Sequence, residues 1–111
     1  MRALIFAAAL VATGVQAQQH STYLSGQELY RRLTGNEGQL LMAYGYIAGV
    51  NDSRAGATVC IPPGIVTLGQ MADMVKQTLE RVPSERHQSA DVFVEATLSN
   101  RWPCAKRGSS L

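Results

Sequence analysis

Two cysteines, two histidines and a scatter of carboxylates are the side chains best equipped for chemistry in this sequence of 111 residues. Cysteine–histidine catalysis needs a free thiolate held against an imidazole. A zinc site needs ligands at short spacings such as C-x-x-C or H-x-x-x-H. Neither pattern occurs: Cys60 and Cys104 are far apart, His20 lies near the N-terminus, and His87 follows Glu85 and Arg86. The C-x-x-C-H pattern of haem attachment is also missing, and a lone His87 at the surface reads most simply as solvated. Asp52 has the most distinctive setting of the carboxylates. It can contact a partner or, on the plainer reading, bond to backbone groups of a turn. The residues therefore argue against an enzyme, and no catalytic residue, metal ligand or cofactor site is assigned.

The chemistry of the cysteines depends on the compartment, and the first residues address that. Arg2 supplies a positive charge, Ala3 to Val15 is almost wholly apolar, and Val15-Gln16-Ala17 resembles a cleavage site. This is the pattern of a secretory signal peptide over residues 1–17, cut after Ala17. The apolar run is shorter than the roughly 20 residues a spanning helix needs, and no cysteine follows it to carry a lipid. Removing 17 of the 111 residues leaves 94, and losing Arg2 leaves nine basic against eight acidic side chains, a net charge of +1. So balanced a chain has no electrostatic pull toward nucleic acid or anionic membrane. In an oxidising compartment an even pair of cysteines implies a Cys60–Cys104 disulfide. Catalytic or metal-binding thiols are the weaker alternative. The bridge would close a loop of some 45 residues, about 4 kcal/mol in the chain-entropy model.

Helical patterns dominate the remainder. Ser25-Gly26-Gln27-Glu28 reads as a capping box opening a first helix to about Leu33, with Leu29 and Leu33 inward and Gly35 as its C-cap. Asn36, with Gln39 at the third position, caps a central helix to about Ser53. Leu40, Ala43, Tyr44, Ile47, Ala48 and Val50 recur along it at helical spacing. Gly45 and Gly49, four apart, share one of its faces. Each glycine costs a helix roughly 1 kcal/mol, which implies close packing against a neighbouring helix. Pro62 and Pro63 keep the next stretch irregular. Thr67 to Gln70 opens a third helix to about Val82, carrying the stripe Leu68, Met71, Val75, Leu79 and Val82. Met74 lies off that stripe. Pro83 stops the helix, and a fourth runs from Ser84 or Glu85 to about Ser99. Ala90, Phe93, Val94, Thr97 and Leu98 form its inner face, with Asn100 as a left-handed cap. Strand-like alternation is absent, so the expected class is all-α: a small bundle of four main helices stapled by one disulfide.

The set Gly45-Tyr46-Ile47-Ala48-Gly49-Val50-Asn51-Asp52, then Cys60-Ile61-Pro62, then Trp102-Pro103-Cys104, resembles the Rap/Tai immunity proteins of bacterial type VI secretion. The resemblance runs from about Ser25 to Cys104. It maps Gly45, Tyr46, Gly49 and Asp52 onto the family's central-helix motif, Cys60 and Pro62 onto its Cys-x-Pro motif, and Pro103 and Cys104 onto its ending. It implies a helical, disulfide-containing periplasmic protein that binds a secreted cell-wall amidase and blocks its active site, often as a homodimer. Family members commonly carry two further cysteines, where this chain has Leu33 and Ala43, an apolar pair in place of two thiols. The alternative use of such a scaffold is a periplasmic structural or envelope-stress protein with another partner.

The expected organisation is thus a signal peptide over 1–17, a flexible lead-in over 18–24, a helical immunity-type domain over 25–104 and a flexible tail over 105–111. Inhibitory groups usually sit on loops held by a rigid scaffold. Two stretches qualify: Asn51 to Thr58, offering Asn51, Asp52 and Arg54, and Arg81 to His87, offering Glu85, Arg86 and His87.

Overall fold

A computed structural model describes residues 23–105. The expected signal peptide, the lead-in up to residue 22 and the tail from residue 106 lie outside the described residues. Four helices follow one another: α1 (Gly26–Leu33), α2 (Glu37–Arg54), α3 (Leu68–Arg81) and α4 (Ala90–Arg101), with a short 3₁₀ turn at Pro83–Glu85. The described part is all-α; its only β-type pairings are three isolated bridges. Every helix packs against the other three, so one core serves all of them.

That core follows the apolar periodicities. Leu29 and Leu33 enter from α1, Ala43 and Ile47 from α2, Met71, Ala72, Val75 and Leu79 from α3, and Ala90, Phe93, Val94 and Leu98 from α4. Leu40, Tyr44 and Val50 of α2 close over its edge, with Leu68 and Val82 at the two ends of α3. Leu33 and Ala43 are both buried in that core. Met74 is half-buried.

Helix starts obey local chemistry. Asn36 and Gln39 form a reciprocal capping box on α2, and Thr67 and Gln70 form one on α3. Each satisfies two of the backbone groups that a helix end leaves unpaired. At α1 only half of the expected box forms. Ser25 accepts from the Glu28 N–H, while the Glu28 carboxylate turns to Arg31, 2.9 Å away. The α1 terminus is completed from elsewhere in the chain. The N–H groups of Gly26 and Gln27 donate to the carbonyls of Gln88 and Arg86, and the N–H of Ala90 donates to Leu24. Leu24, placed by the sequence in a flexible lead-in, is thereby held against the core.

This exchange also corrects the start of the fourth helix. A helix running from Ser84 or Glu85 would spend the Arg86 and Gln88 carbonyls on its own next turn. They serve α1 instead, Ser89 is extended and bridges to Ser25, and α4 begins only at Ala90. Its other end is corrected too. Asn100 is no left-handed cap, since no described residue other than glycine has positive φ, and α4 continues to Arg101. Trp102 stops it by leaving helical backbone, with φ −133° and ψ 70°, directly before Pro103, which disfavours helix at the residue preceding it.

The glycines also differ from expectation. Gly35 is not left-handed. A side chain there would collide with the Gln39 amide and lie 2.9 Å from the Arg31 carbonyl oxygen, so the tight α1–α2 turn excludes one. Gly45 and Gly49, expected against another helix, are exposed on the outer side of α2. A Cβ on either would have no neighbour within 4 Å among the described residues. The glycine that permits a close helix contact is Gly26, where a Cβ would lie 2.7 Å from the Phe93 ring and 3.1 Å from the Arg86 carbonyl oxygen.

Between α2 and α3 the chain turns at Gly56, whose φ is +80°. The N–H groups of Ala57, Thr58 and Val59 all point at the Arg54 carbonyl, within 3.2 Å. Val59 is buried and bridges to Pro103, Cys60 donates its N–H to the Trp102 carbonyl, and the Cys60–Cys104 disulfide closes the same contact. The loop after α2 and the end of α4 therefore form one strapped edge.

Candidate partner-binding surface

Helix α2 is apolar on two sides. Its inner side carries Leu40, Ala43, Tyr44, Ile47 and Val50 into or against the core. Its outer side carries Gly38, the adjacent pair Leu41 and Met42, then Gly45, Gly49 and Asp52, a helical spacing that brings them onto one face. Leu41 and Met42 are 60% and 58% exposed, among the largest exposures of bulky apolar residues in the described chain. Beyond them the two glycines leave bare backbone, and the exposed Asp52 ends the strip. A helix with apolar residues on both sides is one that expects to be covered on both sides. The result is a smooth strip with two apolar side chains at one end and a carboxylate at the other. Arg32 of α1 borders it, its guanidinium 3.1 Å from the Met42 sulfur.

The sequence-derived candidates separate on this geometry. Asn51, Asp52 and Arg54 lie in the last turns of α2, not in a loop. Asp52 is exposed and takes part in no hydrogen bond within the described residues; the side chain that bonds back into the helix end is Ser53, to the Val50 carbonyl. Asn51 is half-buried. Arg54 reaches inward, pairing with Asp91 at 3.2 Å and with Glu95, both in α4. Its guanidinium clamps α2 to α4. Tyr46 stands beside this cluster. Burial pushes its phenol above the ordinary value, the Asp91 carboxylate adds to the rise, and an Asp91 backbone contact and Arg54 oppose it.

In the second set, Arg86 is also engaged. Its guanidinium lies 4.1 Å over the Tyr30 ring and its Nε donates to the Leu79 carbonyl at 2.7 Å. It pins the α3–α4 connection onto α1 and α3. Glu85 and His87 stay exposed, with His87 Nδ1 3.2 Å from the Ser84 carbonyl. Two candidates are thus structural clasps, while Asp52, Glu85 and His87 are open to solvent. Leu41 and Met42 escaped sequence reading. Their signal was the unbroken apolar run Leu40-Leu41-Met42-Ala43, too continuous for a helix with only one buried side.

For chemistry the fold offers little. Both cysteines are in the disulfide. Among the described residues no three of His, Cys, Asp and Glu come together as metal ligands, and no helix is long and apolar enough to cross a membrane. The family model of the Rap1a immunity proteins matches residues 25–104. The chain belongs to the Rap1a immunity protein family. No curated protein matches it individually. The matched span opens at the Ser25 cap and closes at Cys104, so it takes in the whole strapped bundle. Membership of an immunity family implies a non-enzymatic role, that of binding a secreted toxin.

Proposed function

We propose that this immunity protein works in the periplasm, binding a peptidoglycan amidase delivered by a type VI secretion system and blocking its active site. The observation that carries the reading is the outer strip of α2. Gly45 and Gly49 are costly in a helix and meet no packing partner among the described residues, yet they sit between exposed Leu41 and Met42 and the exposed carboxylate of Asp52. An amidase surface laid on this strip would meet bare backbone and remove two large apolar side chains from water, about 1.5–3 kcal/mol for each fully buried side chain. Asn51 and the exposed Glu85 and His87 are the polar groups proposed to frame the contact. Signal-peptide cleavage after Ala17 belongs to the same proposal, since the amidase acts outside the cytoplasm.

The test is a titration of the protein against a purified peptidoglycan amidase effector of type VI secretion, with hydrolysis of peptidoglycan followed in parallel. Stoichiometric loss of hydrolysis is expected, and the stoichiometry reads whether one copy or a homodimer engages the enzyme. Leu41→Ser together with Met42→Ser should weaken binding at least tenfold, about 1.4 kcal/mol. An amidase that keeps full activity in excess protein overturns the assignment.

A further inference from the structure

A second surface stands apart from the strip on α2. A groove of about 320 Å³ runs between α3 and α4, and Gln77, Thr78, Arg81, Thr97, Asn100 and Arg101 line it. The Thr97 hydroxyl donates to the Phe93 carbonyl at 2.6 Å and lies 2.8 Å from the Thr78 hydroxyl, a contact that joins the two helices across the groove. Among the described residues, the only charged groups lining it are the two guanidiniums. Elsewhere in the bundle Arg31 and Arg54 are paired with carboxylates and Arg86 is bonded to a carbonyl. Arg81 and Arg101 make no ion pair and no side-chain hydrogen bond among the described residues. Both are exposed, and Arg101 rests over the Trp102 ring, 5.3 Å from its centre.

Unpaired cations facing one groove define what fits there. A guanidinium presents a planar fork of donors that matches a carboxylate, and a charge-assisted bond of this kind is roughly twice as strong as a neutral one. The Gln77 and Asn100 amides add donors and acceptors for a peptide backbone. The groove is open and its cations are on flexible stems, which suits an element presented by another protein. We infer that the α3–α4 groove is a docking site for an acidic segment of the protein partner, whose carboxylates are taken by Arg81 and Arg101. The inference rests on the proposed function only in taking that partner to be a secreted protein.

The probe is an acetylated and amidated Gly-Glu-Glu-Gly peptide, titrated into the full isotope-labelled chain and followed by NMR. The side-chain amide signals of Gln77 and Asn100 and the guanidinium signals of Arg81 and Arg101 should shift saturably. Raising salt from about 50 mM to about 300 mM should weaken the effect, because exposed charges are screened over that range. The Gln-for-Glu version of the peptide should leave the signals in place. Arg81→Gln with Arg101→Gln should weaken the peptide at least tenfold, whereas the double Lys variant should retain part of it. Unmoved signals, or an unchanged response in the Gln variant, overturn the docking site. Equal affinity for free glutarate overturns it too, because the groove would then recognise a small carboxylate and not a protein segment. The amidase titration separates this inference from the proposed function. If wild type binds the amidase and the Gln variant binds it equally well, the groove is dismissed and the function stands. If wild type does not bind, the function falls and the peptide titration still judges the groove.

Discussion

The glycines of this bundle fall into two groups that look alike in sequence and differ in space. Gly26 lies where α1 meets α4, and its missing side chain lets the Phe93 ring and the Arg86 carbonyl come within about 3 Å of where a Cβ would be. Gly45 and Gly49 lie on the outer side of α2 and face nothing in the described chain. Gly45 and Gly49 lie in the interior of α2 and lower its helix propensity by roughly 1 kcal/mol each, whereas Gly26 is the first residue of α1 and serves the contact with α4. What an element sacrifices without an internal return marks where to look for an external one, and the exposed Leu41 and Met42 on the same face point to the same place.

The contrast can be broken at several points. The largest expected effect falls on an exposed residue, which guards against equating exposure with dispensability. Cys60 is exposed, yet Cys60→Ser should cost about 2–5 kcal/mol, because the bridge acts mainly by restricting the unfolded chain. Chemical denaturation of the two proteins measures this, and a difference below about 1 kcal/mol would show that the hydrogen bond from Cys60 to Trp102 and the bridge from Val59 to Pro103 hold the edge unaided.

Gly26→Val comes next. The added side chain overpacks against Phe93 and should destabilise by about 1–3 kcal/mol. Combining it with Phe93→Leu should return part of that loss, since residues in contact couple; strict additivity of the two in a double-mutant cycle would deny the contact its role. Gly45→Ala and Gly49→Ala have the opposite sign. With open space around each and helical backbone to propagate, each should raise stability by roughly 0.8–1 kcal/mol. Thermal melts that show either variant less stable than wild type would return the glycines to an internal packing role. The smallest effect belongs to Leu41→Ser and Met42→Ser, within about 0.5 kcal/mol each on folding, although both should weaken the amidase. A large loss of stability without any loss of binding would reverse the reading of the strip.

Much of the architecture was legible because it is local. A helix start is written by the residue that accepts from the third N–H onward, so Ser25, Asn36 and Thr67 announced α1, α2 and α3. The inner stripes of α3 and α4 were legible for the same reason, since a face is a matter of spacing. The cysteine pairing followed from their number and from the expected compartment, and the linked motifs from Gly45 to Cys104 carried the family. The candidate site was less legible. Arg54 and Arg86, polar and near turns, looked available, but each is committed to a distant carboxylate, ring or carbonyl.

What only the tertiary structure decided is which backbone groups and which faces meet. The delayed start of α4 depends on α1 claiming the Arg86 and Gln88 carbonyls, a contact between segments some 60 positions apart that no local pattern encodes. The outward turn of Gly45 and Gly49 depends on which side of α2 the other three helices occupy, because an apolar residue carries no mark saying whether its cover comes from its own chain or from another. Sequence alone determined the number and order of the helices, the inner stripes of α3 and α4, the staple and the family. Packing determined that α2 has a second apolar face left over, because a bundle of three neighbours can cover a helix on one side only.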